Sequence, residues 1–381
     1  MALDECLACG GGHLKEVADL GESPVLTGAL FDDRATARAA ACGQLLLGAC
    51  VDCGHVQNLA FDPDRVEYDV TYDNSLHFSG TFQQYAEELA AHLVNDLGVR
   101  GKRVVEIGSG KGDFLRSITG LGGNTGTGYD PTVEPSTDIP GVRLVRDYFR
   151  PGDQAEPYDL LVCRHVLEHL DDPASLLRTL AVSAPPGALH YFEVPAAEFN
   201  FGPDGLWDCI YPHVSYFSRG SLAALIRRCG FEISDIRHAF HGQFIAVEAR
   251  AGHDTAPVWR GGETILDLVE RFAERHERAV RRWQAHVARL RAGGAFVAVW
   301  GAGSKGVNFL NAVDPTGHLP AVDINPRKRG RFLPLGGHQV IGPMDLVGRS
   351  PAQIIVTNPV YTDEIRRTVQ GLGVATEIAV A

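Results

Sequence analysis

From Lys102 onward the chain alternates short apolar runs with segments whose apolar residues recur every three or four positions. RVVEIGSGKGDFLRSI reads as a strand, a glycine turn and a helix. GTGYDP closes a second strand on Asp130, YDLLVCRHVLEHL gives another strand and helix, and GALHYFEVP a further strand. Such alternation predicts a parallel sheet with helices on both faces. Residues 260–293 combine helical periodicity with alternating charge, which predicts a long, partly exposed connecting helix. AFVAVWGAGSKGVNFLNAV then repeats the strand–glycine–helix theme. The expected fold class is therefore α/β. Its expected parts are a small amino-terminal unit over 1–70, a central α/β domain over 71–252, a connecting helix over 253–293 and a carboxy-terminal α/β domain over 294–381.

Composition narrows this picture. A length of 381 residues accommodates two or three domains, and 45% hydrophobic residues exclude a wholly disordered chain. A net charge of −12 disfavours the phosphate-tracking grooves of nucleic-acid binders, yet it permits a local basic pocket for one phosphorylated small molecule. No segment approaches the roughly 20 apolar residues that span a bilayer. The first residues lack a basic stretch followed by an apolar one, so a cytoplasmic protein is expected. The oligomeric state stays open. Glycine, at 43 residues, is in excess and implies several turns that need positive φ or close ligand approach.

Five of the eight cysteines fall in the first 53 residues. Cys6-Leu-Ala-Cys9-Gly and Cys50-Val-Asp-Cys53-Gly are paired knuckles, each able to turn two sulfurs toward one ion. Together they complete a tetrahedral S₄ shell, the arrangement of structural Zn²⁺ with no open position for chemistry. His55 is read as lying outside that shell, Cys42 as packed, and Cys163, Cys209 and Cys229 as buried thiols.

The central turn reads Glu106-Ile-Gly108-Ser-Gly110-Lys-Gly112, with Asp113 where a dinucleotide fingerprint wants its third glycine. Carboxylates at Glu106 and Asp130 suit a positively charged or hydroxyl-rich ligand better than a pyrophosphate. Here the chain resembles the class I S-adenosylmethionine-dependent methyltransferases. That resemblance implies that Gly108 and Gly110 let the backbone approach the amino-acid part of the cofactor. It places Asp130 on the ribose, Asp147 and Tyr148 near the adenine, and His165 on the wall facing methionine.

The second turn does fit G-x-G-x-x-G, at Gly301, Gly303 and Gly306, and Asp323 follows Gly301 at the spacing that separates Asp130 from Gly108. Too little chain follows Asp323 for a complete dinucleotide domain. Lys305 and the run Arg327, Lys328, Arg329, Arg331 instead suggest a basic place for a phosphate or diphosphate.

The whole layout resembles the nucleotide-sugar C-methyltransferases of antibiotic deoxysugar pathways, which order a Cys₄ zinc domain, a methyltransferase core and a Rossmann-like domain. The landmarks are WGAGSKGVNFLN, VDINPRKRGRFLP and IIVTNPVYTDEI. The resemblance implies S-adenosylmethionine and Zn²⁺ as cofactors, a nucleotide-linked keto-deoxysugar as substrate, and Lys305, Asn308, Asn325 and Arg327 as its contacts. In WDCIYPHVSYFS it makes His213 the candidate base, with Tyr211 and Tyr72 as further catalytic candidates and Ser75 at the substrate. The glutamate that precedes the histidine in the family is here Pro212. Glu193 and His241 are the candidate substitutes. Two other readings stay open: the same scaffold with another acceptor or with non-methylating proton chemistry, and a cofactor-binding protein without turnover.

Overall fold

A computed structural model describes residues 5–68, 76–133, 138–150, 157–252 and 262–381. Tyr72 and Ser75 lie outside them. The amino-terminal strands β1 (Leu14–Pro24), β2 (Cys42–Cys50) and β3 (Val56–Asn58) form an antiparallel sheet. The central strands are β4 (Arg103–Ile107), β5 (Thr125–Tyr129), β6 (Val142–Val145), β7 (Leu160–Arg164) and β8 (Leu189–Pro195). The short β9 (Ser215–Tyr216) leaves this unit and pairs with β3 at Val56 and Gln57. The sequence division at residue 70 is thus bridged by backbone hydrogen bonds, and the strand that bridges it begins two residues after His213.

Two further strands, β10 (Phe231–Ala239) and β11 (Phe244–Ala251), close the central sheet in the order β10-β11-β8-β7-β4-β5-β6. Strands β4 to β8 run parallel, and β11 is antiparallel to β8. The carboxy-terminal strands β12 (Val297–Trp300), β13 (Ala321–Val322), β14 (Val340–Ile341), β15 (Gln353–Val356) and β16 (Glu377–Val380) form an all-parallel sheet ordered β14-β13-β12-β15-β16. In both α/β sheets the first strand is central and the winding reverses beside it, between β4 and β7 and between β12 and β15. Ligands bind such sheets at the carboxyl ends of the strands flanking that reversal.

Local signals set the helices. Asp172 caps Pro173–Ser183 by accepting from the Ser175 N–H, with proline at the first position, where no N–H is needed. Ser218 and Ser221 form a reciprocal cap at the start of Arg219–Arg228. Ala279, Trp283 and Val287 make one buried stripe on the long helix Phe272–Ala292 and pack onto the carboxy-terminal sheet. Its other face carries the i,i+4 pairs Glu274–Arg278 and Glu277–Arg281.

The parts are tied across the chain. Glu364, on the carboxy-terminal domain, accepts from Ser79 Oγ at 2.6 Å and from the Thr81 N–H at 3.0 Å, capping the helix Gly80–Ala91. Phe31 bridges Phe332, and Arg331 pairs with Asp32 at 2.6 Å. Among the described residues no helix is long and apolar enough to cross a membrane.

Candidate active site

The carboxyl ends of both parallel sheets open into one cavity of about 800 Å³. On the central side Gly108 follows β4 with φ 73°, a conformation that glycine adopts without strain. A Cβ there would stand 2.3 Å from Val166 Cγ2, so a larger residue would displace the wall that follows β7. Gly110, at φ 52°, faces open space, leaving its backbone accessible to a ligand. Asp130, at the end of β5, accepts from the Gly110 N–H at 2.8 Å and from Thr132 Oγ1 at 2.6 Å. Both turn and carboxylate line the cavity, as do Glu106, Tyr148 and His165. Asp147 does not: it pairs with Arg150 at 3.3 Å, while Tyr148 reaches the wall.

Glu106 is buried beside Arg164, and one of its carboxylate oxygens has no hydrogen-bond partner. Burial pushes it up to about 8, against the pull of Arg164. The folded protein therefore holds a proton here that the unfolded chain releases near 4.5, and stability falls as pH rises from there toward 8. Glu106→Gln stays neutral throughout. Its melting temperature relative to the unsubstituted protein is expected to rise by several degrees between pH 5 and pH 8.5. A difference that does not change with pH would contradict this account of the carboxyl.

Behind the wall Glu193 is a fully buried node rather than a cavity residue. Burial opposes its charge, but Arg164 at 2.9 Å and His165 at 3.2 Å outweigh that and hold its carboxyl low. Tyr85 and Tyr191 also donate to it. The network orients His165, which sits at φ 55° against the Phe244 ring. Burial works against the imidazolium, yet Glu168 and Glu193 lift His165 to about 9.

His213 lines the cavity and is buried, its ring 4.8 Å from that of His169. Burial, reinforced by His169, His165 and Lys305, pushes it well below the usual histidine range, so its imidazole is neutral. Glu168 lies in the same cluster, with one ligand-type atom of each of Glu168, His169 and His213 mutually within 4.8 Å. Position 212, where a carboxylate was expected, contributes its backbone: the Pro212 carbonyl accepts from His169 Nδ1 at 2.9 Å. The carboxylate of the cluster comes instead from Glu168, on the turn Leu167–His169 after β7.

Several sequence candidates lie elsewhere. Tyr211 is wholly buried against Phe61 and Val214, and its hydroxyl accepts from the Asp62 N–H at 2.9 Å. It joins the amino-terminal sheet to the core. His241 is exposed at the β10–β11 turn and is absent from the cavity wall.

On the carboxy-terminal side Gly301, Gly303, Lys305, Asp323, Asn325 and Lys328 line the cavity. Gly306 is required by packing, since a Cβ there would meet the Gly301 carbonyl at 1.9 Å. Asp323 accepts from the Ala302 N–H at 2.8 Å, repeating the Asp130–Gly110 contact of the first turn. Lys305 pairs with Asp208 at 2.8 Å, and the buried Lys328 donates to the Ala302 carbonyl at 3.1 Å. The basic run is not one pocket. Arg329 pairs with Asp345, Arg331 with Asp32, and Arg327 lies over the Phe78 ring. Asn308 spends its amide on the Trp207 and Cys209 carbonyls, joining two segments of chain rather than facing the cavity.

The four knuckle cysteines converge, with Cys6–Cys53 and Cys9–Cys50 sulfurs each 3.6 Å apart. Four thiolates about 2.3 Å from Zn²⁺ at tetrahedral angles stand about 3.8 Å apart, so this geometry can hold the ion. The Gly11 N–H donates to Cys9 Sγ at 3.4 Å, as the glycine after the knuckle allows. His55, fully buried under the cluster, packs against Phe217 with its ring tilted and the centroids 4.9 Å apart, and it stays outside the sulfur shell.

Glu168, His169 and Asp208 were not singled out as site residues from sequence, whereas Asp323 stands there at the spacing that separates Asp130 from Gly108. Glu168 and His169 stood within the RHVLEHL motif, but their partner His213 is distant in the chain.

Comparison with known proteins matches residues 82–236 to a family described as a methyltransferase domain. Residues 259–376 match a family described as the C-methyltransferase C-terminal domain. The chain is 26% identical over 394 aligned residues to the C-methyltransferase NovU of Streptomyces niveus, covering 95% of this chain and 91% of that protein. It is 31% identical to the ubiquinone biosynthesis O-methyltransferase of Proteus mirabilis over 25% of this chain, spanning 42% of that relative. Among solved structures, an S-adenosylmethionine-dependent methyltransferase from Mesorhizobium loti aligns with 18% identity and a TM-score of 0.35, covering 43% of this chain and 97% of that one.

Proposed function

We propose that this chain, an S-adenosylmethionine-dependent C-methyltransferase, methylates a carbon beside the ketone of a nucleotide-linked keto-deoxysugar. The observation that carries the reading is the single cavity shared by two glycine turns of different character. The Gly108–Gly110 turn with Asp130 suits the cofactor, which supplies an electrophilic methyl on a sulfonium. The Gly301–Gly306 turn, with Asp323, Lys305 and Lys328 beside it, offers a hydroxyl acceptor and cations to a nucleoside diphosphate. This arrangement supports a two-part substrate whose sugar reaches toward the first turn.

Carbon methylation requires that a proton beside the ketone leave before the carbon can attack. The Glu168–His169–His213 cluster on the cavity wall is the assigned place for that proton, since it combines a neutral buried imidazole with a carboxylate. Glu168 thereby replaces the carboxylate that Pro212 removed. Tyr72 and Ser75 remain candidates at the sugar. Zn²⁺ in the four-cysteine cluster has a structural role in this reading, holding the sheet that β9 completes.

The test is incubation with S-adenosylmethionine and a panel of ketosugar nucleotides in deuterated water. A product heavier by one methylene, with deuterium at the carbon beside the ketone in unreacted substrate, is expected. His213→Ala should lower the rate by about 10²–10⁴-fold, the usual worth of a proton-transfer group. Neither exchange nor methyl transfer across the panel would overturn the substrate assignment.

A further inference from the structure

We propose that Glu168, His169 and His213 bind a divalent metal ion at the reacting end of the cavity, separate from the four-cysteine cluster. The inference rests on the reading above for its ketone substrate and assigns how the cluster takes up the proton.

Three observations converge. Glu168 is 1% exposed, and neither of its carboxylate oxygens has a hydrogen-bond partner. His165 Nδ1 approaches it only to 3.6 Å, beyond hydrogen-bond length. His165 at this ion-pair distance offsets part of the cost of the buried carboxylate, and coordination of a metal would satisfy the oxygens that remain without hydrogen bonds. His213 Nδ1 is likewise buried and unpartnered.

The second observation is the tautomer of His169. Its Nδ1 lies 2.9 Å both from the Pro212 carbonyl, which can only accept, and from the Tyr68 hydroxyl, which can accept as well, so a proton on Nδ1 satisfies both contacts. The lone pair is left on Nε2. Metal-ligating histidines are held in this way, with the other ring N–H donated to a carbonyl or carboxylate. Proline at 212 provides that carbonyl and puts no side-chain acid in its way.

The third is spacing and access. One ligand atom from each residue falls within 4.8 Å of the others, while ligands about 2.1 Å from an ion at tetrahedral angles stand about 3.4 Å apart. Side-chain movement that shortens these separations by up to about 1.4 Å closes the shell. Two histidines and one carboxylate leave coordination positions open, and all three residues line the cavity, so those positions face the substrate.

The chemistry follows from an ion holding both the ketone oxygen and a hydroxide. The hydroxide takes the proton beside the ketone and becomes water. The C–H electrons form the enolate, whose oxygen stays on the ion. The enolate carbon then bonds to the methyl as the carbon–sulfur bond breaks and its electrons remain on sulfur. No electron leaves or enters overall, so a redox-inert ion suffices.

Manganese is a suitable probe, because thiolates disfavour it and the Cys₄ cluster keeps its own metal. Full-length protein is titrated with Mn²⁺, and free ion is followed by electron paramagnetic resonance. One Mn²⁺ per chain is expected. Glu168→Gln and His213→Gln should each weaken it by about 10–100-fold or more while retaining S-adenosylmethionine binding, which reports an intact fold. No saturable binding up to about 1 mM Mn²⁺ would overturn the proposal, as would equal affinity in Glu168→Gln. Full methyl transfer by protein stripped of divalent ions other than its zinc would also overturn it, while leaving the proposed function standing. Stoichiometric Mn²⁺ with no ketosugar methylated would instead sink the substrate assignment and leave the metal site.

Discussion

Replacing Gly108 by alanine is expected to weaken S-adenosylmethionine binding by 100-fold or more, roughly 3 kcal/mol. Two costs add at this position. A non-glycine residue at φ 73° forfeits about 1–2 kcal/mol of backbone preference. The new Cβ would also stand 2.3 Å from Val166 Cγ2, and relieving such overpacking typically costs about 1–3 kcal/mol. The double variant Gly108→Ala/Val166→Ala separates them, because it removes the steric conflict and keeps the strained φ. Partial recovery of affinity by calorimetry is the expected result. Unchanged affinity in Gly108→Ala alone would mean that the turn does not approach the cofactor.

The second large effect belongs to the cysteine cluster. Cys50→Ser is expected to lower bound zinc from one ion per chain to none and to lower the melting temperature sharply. Structural zinc supplies on the order of 10–16 kcal/mol in small domains that fold around it, so loss of one thiolate removes several kcal/mol. The damage should reach the cavity, because β3 pairs with β9 and β9 follows closely on His213. Methyl transfer is therefore expected to fail together with metal content. Cys42→Ser is the matched control: Cys42 stands outside the cluster, and its variant should keep both zinc and activity. Zinc retained at full stoichiometry in Cys50→Ser would refute the assignment of the ligand shell.

Both predictions start from motifs that are legible in the chain, and the reason is local. A CxxCG knuckle and a strand–glycine–helix turn are each made within a dozen residues, so their geometry follows from spacing and from the φ that glycine permits. The second turn was legible in the same way, down to Asp323 at the position equivalent to Asp130, and each carboxylate accepts a backbone N–H of its own turn.

Charge was less legible. Arg327, Lys328, Arg329 and Arg331 read as one basic place, but only Lys328 reaches the cavity. Asp345 and Asp32 take two of the arginines, and neither partner can be known before the chain folds. Asn308 and Tyr211 were misplaced for a related reason: a polar group on a motif was read as facing substrate, whereas each ties together distant backbone segments.

The sequence by itself determined the glycine turns, the cysteine shell and the order of the three folding units, because these depend on short-range stereochemistry and on hydrophobic periodicity. Only the tertiary structure decided which acid stands beside His213. Pro212 marks a missing carboxylate when read along the chain. In the fold β7 and β9 bring Glu168 and His169 to His213, and the Pro212 carbonyl holds His169 in place. Packing chooses such partners through space, and sequence distance carries no information about that choice.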